Sequence, residues 1–320
     1  MKNRLLSLLA VSALTIGSFC SFVSAEEQTY TIGICQFSEH DAITLATQGF
    51  CDALTEQLGD RVVFREENAQ GDFATCTSII NAFVTEEVDL ILANATPALQ
   101  TAATATADIP VLGTSVTEYG AALQIEDFQG VVGTNVSGTS DLTPLNEQAL
   151  VIQELFPEAK NIGLLYCSGE PNSQYQIDVV QSELESMGYT CEHYTFSDSN
   201  DLTSVVITAS ENCDVIYVPT DNTAAANAEL IANVCMPAGV PVVAAEENAC
   251  KLCGVATFSI NYYDLGYITG EMALRVLVEG EDISQMPIAY ATDFSKYYHP
   301  ENCEALGLEI PEGYEPLTLE

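Results

Sequence analysis

The residues of this sequence that could do chemistry are hydroxyls and carboxylates placed just after short apolar runs. Thr96, Ser115 and Thr117 follow two such runs in the first half of the chain. Hydroxyls and the free amides of a helix N-terminus can hold a carboxylate without a cationic side chain. Asp221 and Glu246 follow two runs in the second half, and their oxygens could accept hydrogen bonds from an ammonium group. These residue types predict a site for a small zwitterion.

Neighbouring residues on the same predicted loops complete the candidate site. The predicted ligand-binding residues are Phe37, Ser38, Gln70, Thr96, Pro97, Ala98, Ser115, Thr117, Asn172, Ser173, Tyr175, Thr220, Asp221, Asn222 and Glu246. Phe37 and Tyr175 could supply apolar or cation–π walls. A structural role is the alternative for several of them, because Asp221 and Thr220 are also good helix N-caps and Phe37 could belong to the core. His40 lies on the same rim and suits a hydrogen-bond partner better than a catalyst.

The elements that must position these side chains occur twice along the chain. Apolar runs typical of buried parallel strands lie at 31–35, 89–93, 109–113, 161–166, 214–218 and 240–244. Amphipathic stretches between the runs are long enough for helices, so each half is predicted to be a series of βαβ units. Ligands bind beyond the carboxyl ends of the strands in such sheets. We therefore predict an α/β protein of two Rossmann-like lobes with parallel sheets, facing each other across a cleft.

Three segments are predicted to cross between the lobes, near 134–141, 256–262 and 288–294. The last of these is expected to form one strand, and residues 301–320 are expected to be loop-like. This gives an N-terminal lobe of 26–137 plus 262–289 and a C-terminal lobe of 138–261 plus 290–320.

The first 25 residues are typical of a signal peptide and not of the fold. Lys2 and Arg4 form a basic start, an apolar stretch follows, and small residues precede Glu26, where a signal peptidase would cut. A membrane anchor is the alternative, although the apolar stretch is short and broken by Ser and Gly. Lipidation at Cys20 is disfavoured because Phe19 precedes it. We expect an exported protein that is periplasmic, extracellular or associated with the cell surface.

Composition and motifs exclude several classes of function. The chain has 46 acidic and only 8 basic residues, a net charge of −38, which disfavours nucleic-acid and anionic-lipid partners. No G-x-S-x-G, P-loop or H-E-x-x-H motif occurs, so no catalytic residue is predicted. Cys250 and Cys253 form a lone C-x-x-C, which is a weak zinc signal. We expect no metal, no cofactor and a monomer.

Two segments carry a resemblance to a known family: N-A-Q-G-D at 68–72 and Y-V-P-T-D-N at 217–222. With these motifs the sequence resembles ABC transporter substrate-binding proteins of the tryptophan or aromatic amino-acid type. The resemblance implies the type I periplasmic-binding-protein fold, two lobes with three crossovers and a hinge. It also implies a ligand held between residues 95–97 and 219–222, and docking on a membrane permease. Residues 117–119 read T-E-Y where the family commonly has T-D-P, which could change the ligand preference.

The leading hypothesis is therefore an extracytoplasmic solute-binding protein of an ABC importer that captures an aromatic or other hydrophobic amino acid. One alternative is an exported ligand-sensing receptor domain of the same fold, which would normally be joined to a membrane or signalling segment. The other is a secreted amino-acid-processing enzyme, which would need a nucleophile–base pair or a metal set.

Overall fold

Two separate β-sheets organise the structure, a computed structural model that describes residues 28–319. The strands of the first sheet are β1 (Tyr30–Gln36), β2 (Val62–Asn68), β3 (Leu90–Asn94), β4 (Val111–Val116), β5 (Val136–Ser140) and β11 (Ala289–Tyr290). Their order across the sheet is β11-β5-β4-β3-β1-β2, and all of these neighbours pair in parallel.

The second sheet is built in the same way. Its strands are β6 (Asn161–Cys167), β7 (Thr190–Phe196), β8 (Val215–Val218), β9 (Val242–Ala244), β10 (Ala256–Ser259), β12 (Ser295–Tyr298) and β13 (Glu315–Pro316). Their order is β13-β12-β10-β9-β8-β6-β7. The pairing of β10 with β12 is antiparallel, and the other described pairs are parallel.

Helices cover both sheets, as parallel strands require. They are α1 (Asp41–Leu58), α2 (Phe73–Glu86), α3 (Thr96–Ala105), α4 (Tyr119–Leu123), α5 (Leu145–Leu155), α6 (Pro171–Ser186), α7 (Ser199–Asn212), α8 (Asn222–Ala226), α9 (Ala228–Ala238), α10 (Glu247–Cys253), α11 (Tyr262–Leu277) and α12 (Pro300–Leu306). We call each sheet with its covering helices a lobe. The predicted α/β class with two parallel-dominated sheets is confirmed.

The apolar runs form strands because both of their faces are buried. In β3, Leu90 and Leu92 belong to the core beneath α1 and α11, whereas Ile91 and Ala93 belong to the core beneath α2 and α3. Such a strand needs apolar side chains at successive positions, which is why it appears in the sequence as a continuous run.

Strand β5 lies inside the predicted first crossover and was missed because its sequence, V-S-G-T-S, is mostly polar. Its side chains are buried and form hydrogen bonds. The Ser137 hydroxyl donates to the Met286 carbonyl at 3.0 Å, and the Thr139 and Thr269 hydroxyls share a hydrogen bond of 2.8 Å. Tertiary partners thus make burial of this polar strand tolerable.

Two predictions for the C-terminal part were wrong. Segment 288–294 does not form one strand: β11 pairs with β5 in the first sheet, and the chain then crosses to form β12 beside β10 in the second. Nor is 301–320 all loop, since most of α12 (Pro300–Leu306) and strand β13 (Glu315–Pro316) lie there. The His299 side chain caps α12 by accepting from the Asn302 amide, and Gly307 ends it in the left-handed conformation.

Helices α1 and α11 pack closely and fix the start of α11 against the first lobe. A Cβ added at Gly266 would lie 1.9 Å from the Ala46 carbonyl oxygen, and one at Gly49 would lie 2.0 Å from the Tyr263 carbonyl oxygen. These glycines are therefore needed for the close approach of the two backbones. Within the described part of the chain, no helix is both long and apolar enough to span a bilayer.

Candidate ligand-binding cleft

A small closed cavity, about 10 Å³ in volume, lies between the lobes at the carboxyl ends of the strands. Seven predicted site residues line it: Ser115, Thr117, Asn172, Thr220, Asp221, Asn222 and Glu246. Five further residues complete the lining: His40, Ile43, Asp141, Ala225 and Tyr262. A volume of this size holds about one water molecule, so any larger ligand requires the lobes to separate.

The other predicted residues lie around this cavity or behind it. Phe37, Ser38 and Gln70 line a neighbouring pocket of about 500 Å³, which Asn222 also lines. Pro97 and Ala98 are buried at the start of α3, and Ala98 packs in the first-lobe core. Thr96, Ser173 and Tyr175 are not among the residues that line either space: Thr96 and Ser173 are buried, and Tyr175 packs at the edge of the second-lobe core.

The cavity concentrates buried polar atoms that lack hydrogen-bond partners among the described residues. They are Ser115 Oγ, Asp141 Oδ1, Asn172 Oδ1 and both ring nitrogens of His40. Thr96 Oγ1 and Ser38 Oγ, which do not line this cavity, also lack partners. An unpaired buried polar group costs free energy, and native proteins contain few of them. Their concentration around one cavity marks a place where a polar ligand would supply the missing partners.

Asp141 is the acidic residue of the cavity that retains an unengaged oxygen. It is 2% exposed and follows β5, where the chain leaves the first sheet. The Tyr262 hydroxyl donates to Asp141 Oδ2 at 3.0 Å, and the Thr117 hydroxyl lies beside the same carboxylate, whereas Oδ1 has no hydrogen bond of good geometry within residues 28–319. Burial raises the pKa of the Asp141 carboxyl to about 6. A cationic group placed at Oδ1 would offset this desolvation and lower the pKa again.

The other two predicted acids are already used by the backbone. Asp221 accepts from the Ala224 amide at 2.8 Å through Oδ1, which caps α8, and from the Cys167 amide at 2.7 Å through Oδ2. Glu246 caps α10 by accepting from the Asn248 and Ala249 amides through its two oxygens. Burial raises the pKa of both carboxyls, and the nearby Glu170 carboxylate adds to the effect on Asp221.

His40 faces the same cavity from the start of α1. Its ring nitrogens are buried, and burial lowers the pKa of the imidazole to about 4. The ring is therefore neutral at physiological pH, with one nitrogen that donates and one that accepts. Neutral His40 can hydrogen-bond a ligand without contributing a positive charge.

Unusual backbone conformations occur where the first-lobe strands end at the cleft. Ala95 has φ 89° immediately before α3, and Ser115 has φ 52° in β4, where the register with β5 shifts between Gly113 and Val116. Non-glycine residues seldom adopt positive φ, and such positions cluster at functional sites. The irregular register changes the direction of the backbone at Ser115, whose hydroxyl is among the unpaired buried groups.

Asp141 and Tyr262 are the functional candidates that the sequence-based prediction missed. Both lie at the predicted crossovers, 134–141 and 256–262, which were interpreted only as connections. The available signal was their position: chains that cross between two lobes pass behind the cleft, so their polar side chains can form its floor. Among residues 28–319, no group of three or more His, Cys, Asp or Glu side chains is arranged to hold a metal ion.

Residues 31–314 match the family model described as ABC transporter substrate binding protein. This match covers most of the chain. The chain belongs to the ABC transporter substrate-binding protein family. Proteins of this family are extracytoplasmic and bind solutes for a membrane permease, so the family predicted from the two motifs is confirmed.

Individual relatives agree with the family assignment. The chain is 32% identical to the tyrosine-binding protein of Clostridioides difficile (strain R20291) over 281 residues, which covers 87% of this chain and 81% of the relative. It also resembles an ABC domain from Streptococcus pneumoniae solved in complex with L-Trp, with 30% identity and a TM-score of 0.85 over 89% of this chain and 97% of the other.

A third relative is similar in sequence but less similar in shape. The ligand-free, open structure of a substrate binding protein with adhesive properties from Clostridium difficile is 34% identical, covering 91% of this chain and all of that one. Its TM-score is only 0.68, compared with 0.85 for the L-Trp complex. The arrangement of the lobes in the present structure is thus closer to the ligand-bound relative than to the open one.

Proposed function

We propose that this protein captures an aromatic amino acid between its lobes and delivers it to the permease of an ABC importer. The observation that carries the proposal is the buried Asp141 Oδ1, which has no partner of good geometry among the described residues, whereas the other two carboxylates of the cavity, Asp221 and Glu246, already accept backbone amides through both oxygens. A buried carboxylate of this kind is suited to an ammonium group.

The ligand carboxylate is assigned to the first-lobe rim. The Thr96 and Ser115 hydroxyls are buried and lack partners among residues 28–319. In α3, which begins at Thr96, the Thr96 and Ala98 amides precede the first donor of the helix, the Leu99 amide. Asp141 on one side and this rim on the other would recognise the two charges of an amino acid. An aromatic side chain is supported by the tyrosine and L-Trp that appear in the names of two relatives.

Capture requires a hinge motion. The closed cavity of about 10 Å³ is far too small for an amino acid, so the lobes would open to admit the ligand and close over it. We propose the division predicted from the sequence, 26–137 plus 262–289 and 138–261 plus 290–320, as the two moving bodies. Two of its boundaries, at 137 and 289, fall inside β5 and β11, so the whole of these two strands moves with the first sheet and the two bodies join just after Ser140 and Tyr290.

We further propose that the protein is a monomer that binds without chemical turnover and has no nucleic-acid partner. The predicted signal peptide, 1–25, lies outside the described residues and remains a proposal. Its test is N-terminal sequencing of the exported protein: a start at Glu26 supports cleavage there, and a lipidated start at Cys20 contradicts it.

A calorimetric panel of the twenty amino acids tests the function. We expect stoichiometric binding of L-tyrosine, L-tryptophan or both, with the ligand recovered chemically unchanged after prolonged incubation. Saturation by sugars or basic amino acids with no response to aromatic ones would contradict the ligand class. Conversion of the ligand would support the enzyme alternative instead.

A further inference from the structure

A second space adjoins the closed cavity, and the proposed function leaves it without a role. It measures about 500 Å³ and lies between the lobes, with Asn222 in the wall that it shares with the cavity. The first lobe contributes the end of β1 and the start of α2. The second lobe contributes Cys167, Gly169 and Glu170, residues 197–199, and one side of α8 together with Asn227. A space of this size is within the range of small-molecule sites in proteins.

Two aromatic rings form its first-lobe wall. The Phe37 and Phe73 ring centroids are 5.0 Å apart, with the planes tilted by 55°. Phe37 is buried, but Phe73, at the first position of α2, is 49% exposed and is among the large exposed apolar side chains of the described chain. An aromatic pair with one half-exposed ring offers a third ring a favourable surface.

Carboxylates from both lobes line the pocket. They are Glu39 and Asp72 from the first lobe and Glu170 and Asp198 from the second, and none of the lining residues is Lys, Arg or His. Ser38 is 3% exposed, and its hydroxyl has no partner among residues 28–319. An acidic ligand side chain would be repelled here, whereas a ring that carries an O–H or N–H would find acceptors.

We propose that this pocket, which we call the Phe37–Phe73 pocket, receives the ligand side chain and selects an aromatic ring with a hydrogen-bond donor at its edge. It prefers a phenol or an indole to an unsubstituted phenyl ring and excludes carboxylate side chains. The proposal rests on the proposed function, because the amino-acid head group must lie in the closed cavity for the side chain to enter this pocket past Asn222.

The experiment is calorimetric titration of the wild type, Phe73→Ala and Phe73→Leu with L-tyrosine, L-tryptophan, L-phenylalanine, L-leucine and L-glutamate. Ile207→Ala is the matched control, since Ile207 is 45% exposed on α7 and is likewise shortened to alanine. Equal melting temperatures of the Phe73 variants and the control would show that the fold is retained.

We expect wild type to bind L-tyrosine or L-tryptophan about two- to tenfold more tightly than L-phenylalanine, and not to bind L-glutamate. Phe73→Ala should weaken the preferred ligand about three- to tenfold, with Phe73→Leu intermediate and Ile207→Ala unchanged. The preference for the aromatic ligand over L-leucine should shrink in both Phe73 variants.

The outcomes separate the two proposals. If the wild type binds aromatic amino acids but Phe73→Ala binds them as tightly as Ile207→Ala, the pocket assignment is overturned and the proposed function stands. Equal affinity for L-phenylalanine and the better of the other two overturns the donor preference. If the wild type binds no aromatic amino acid, the proposed function fails and this inference fails with it.

Discussion

Asp141 and Asp221 line the same cavity, but the protein uses them differently. Both are 2% exposed. Asp221 lies at the rim of the second lobe, where each of its oxygens accepts a backbone amide. Asp141 lies where the chain crosses between the lobes, and one of its oxygens has no partner within the described chain. Asp221 thus holds its loop in shape, whereas Asp141 is the acid that we propose for the ligand.

The largest effect is expected from Asp141→Asn. Asparagine keeps an oxygen that can accept from the Tyr262 hydroxyl but removes the charge that pairs with the ammonium group. The ligand ammonium group is then buried without a counter-charge, which should cost about 3 kcal/mol of binding free energy. The affinity for the preferred amino acid should therefore fall about a hundredfold. Calorimetric titration measures this. An affinity within about threefold of the wild type would show that a carboxylate other than Asp141 pairs with the ammonium group.

The stability of Asp141→Asn provides the control. Because burial raises the pKa of this carboxyl, the charge opposes folding at neutral pH. The melting temperature of the ligand-free variant should therefore equal or exceed that of the wild type. A lower melting temperature would indicate that the loss of affinity comes from damage to the fold.

Ligand affinity should also depend on pH. The Asp141 pKa of about 6 means that its carboxyl gains a proton as the pH falls through 6, and the ammonium group then loses its partner. Affinity should be constant above about pH 7 and fall by up to tenfold per pH unit below 6. Glu246, with a pKa of about 7, faces the same cavity, whereas His40, at about 4, titrates below this range.

Titration calorimetry from pH 5 to pH 8 measures this dependence, with Asp141→Asn as the comparison. The variant should show a flatter profile because the group that couples the ammonium to the proton is gone. The same profile in both proteins would assign the pH dependence to Glu246 or Asp221 instead.

The stability of the ligand-free protein should have the opposite sign of pH dependence. Asp141 and Glu246 bind protons more tightly in the folded than in the unfolded chain. Their contribution is fully present below about pH 4 and is lost as the pH rises through 6 to 7. Thermal unfolding at pH 5 and pH 8 should thus give the higher melting temperature at pH 5, and Asp141→Asn should reduce the difference. Neutral His40 acts in the opposite direction because its pKa is lowered to about 4. The decisive comparison is therefore with the variant: an unchanged difference between pH 5 and pH 8 in Asp141→Asn would contradict burial of the Asp141 charge.

A smaller effect is expected from Tyr262→Phe, which tests whether contact between the two crossover segments positions Asp141. The change removes the hydroxyl that holds Asp141 Oδ2 at 3.0 Å but leaves the aromatic ring in place. The carboxylate keeps its charge and loses its orientation, so affinity should fall about three- to tenfold. Calorimetry and thermal unfolding check the two parts. Wild-type affinity in this variant would show that Asp141 does not need Tyr262.

The smallest effect on affinity is expected from Asp221→Asn. Two backbone amides donate to different oxygens of Asp221, and an asparagine side chain offers only one oxygen. Its amide group must face one donor, which should cost about 1–3 kcal/mol of folding free energy. The melting temperature should fall while the affinity stays within about threefold. A tenfold loss of affinity at an unchanged melting temperature would identify Asp221 as the ammonium partner.

The repeated strands could be predicted from the sequence because burial on both faces leaves a local mark, as in 89–93 and 214–218. The polar residues after those strands could be predicted too, because strand ends meet at one sheet edge. Whether such a residue caps a helix or faces the ligand depends on which amides lie within reach of its oxygens. That is a tertiary property, and the ambiguity at Asp221 could not be resolved without the structure.

The crossover residues were out of reach for a different reason. Strand β5 is polar, and only its hydrogen bonds to distant segments, such as that of Ser137 to Met286, make it a buried strand. Asp141 follows it and contacts Tyr262 across 121 residues of sequence. No local pattern encodes that contact, and it is the one that forms the floor of the cleft.

The central claim is that Asp141 recognises the ammonium group of an aromatic amino acid. The most direct test is calorimetric titration of wild type and Asp141→Asn with the better of L-tyrosine and L-tryptophan and with its desamino analogue, which keeps the ring and the carboxylate. We predict that loss of the amino group weakens binding to the wild type about a hundredfold and weakens binding to Asp141→Asn far less. Equal loss in both proteins, or a desamino analogue that binds wild type as tightly as the amino acid, would contradict the account.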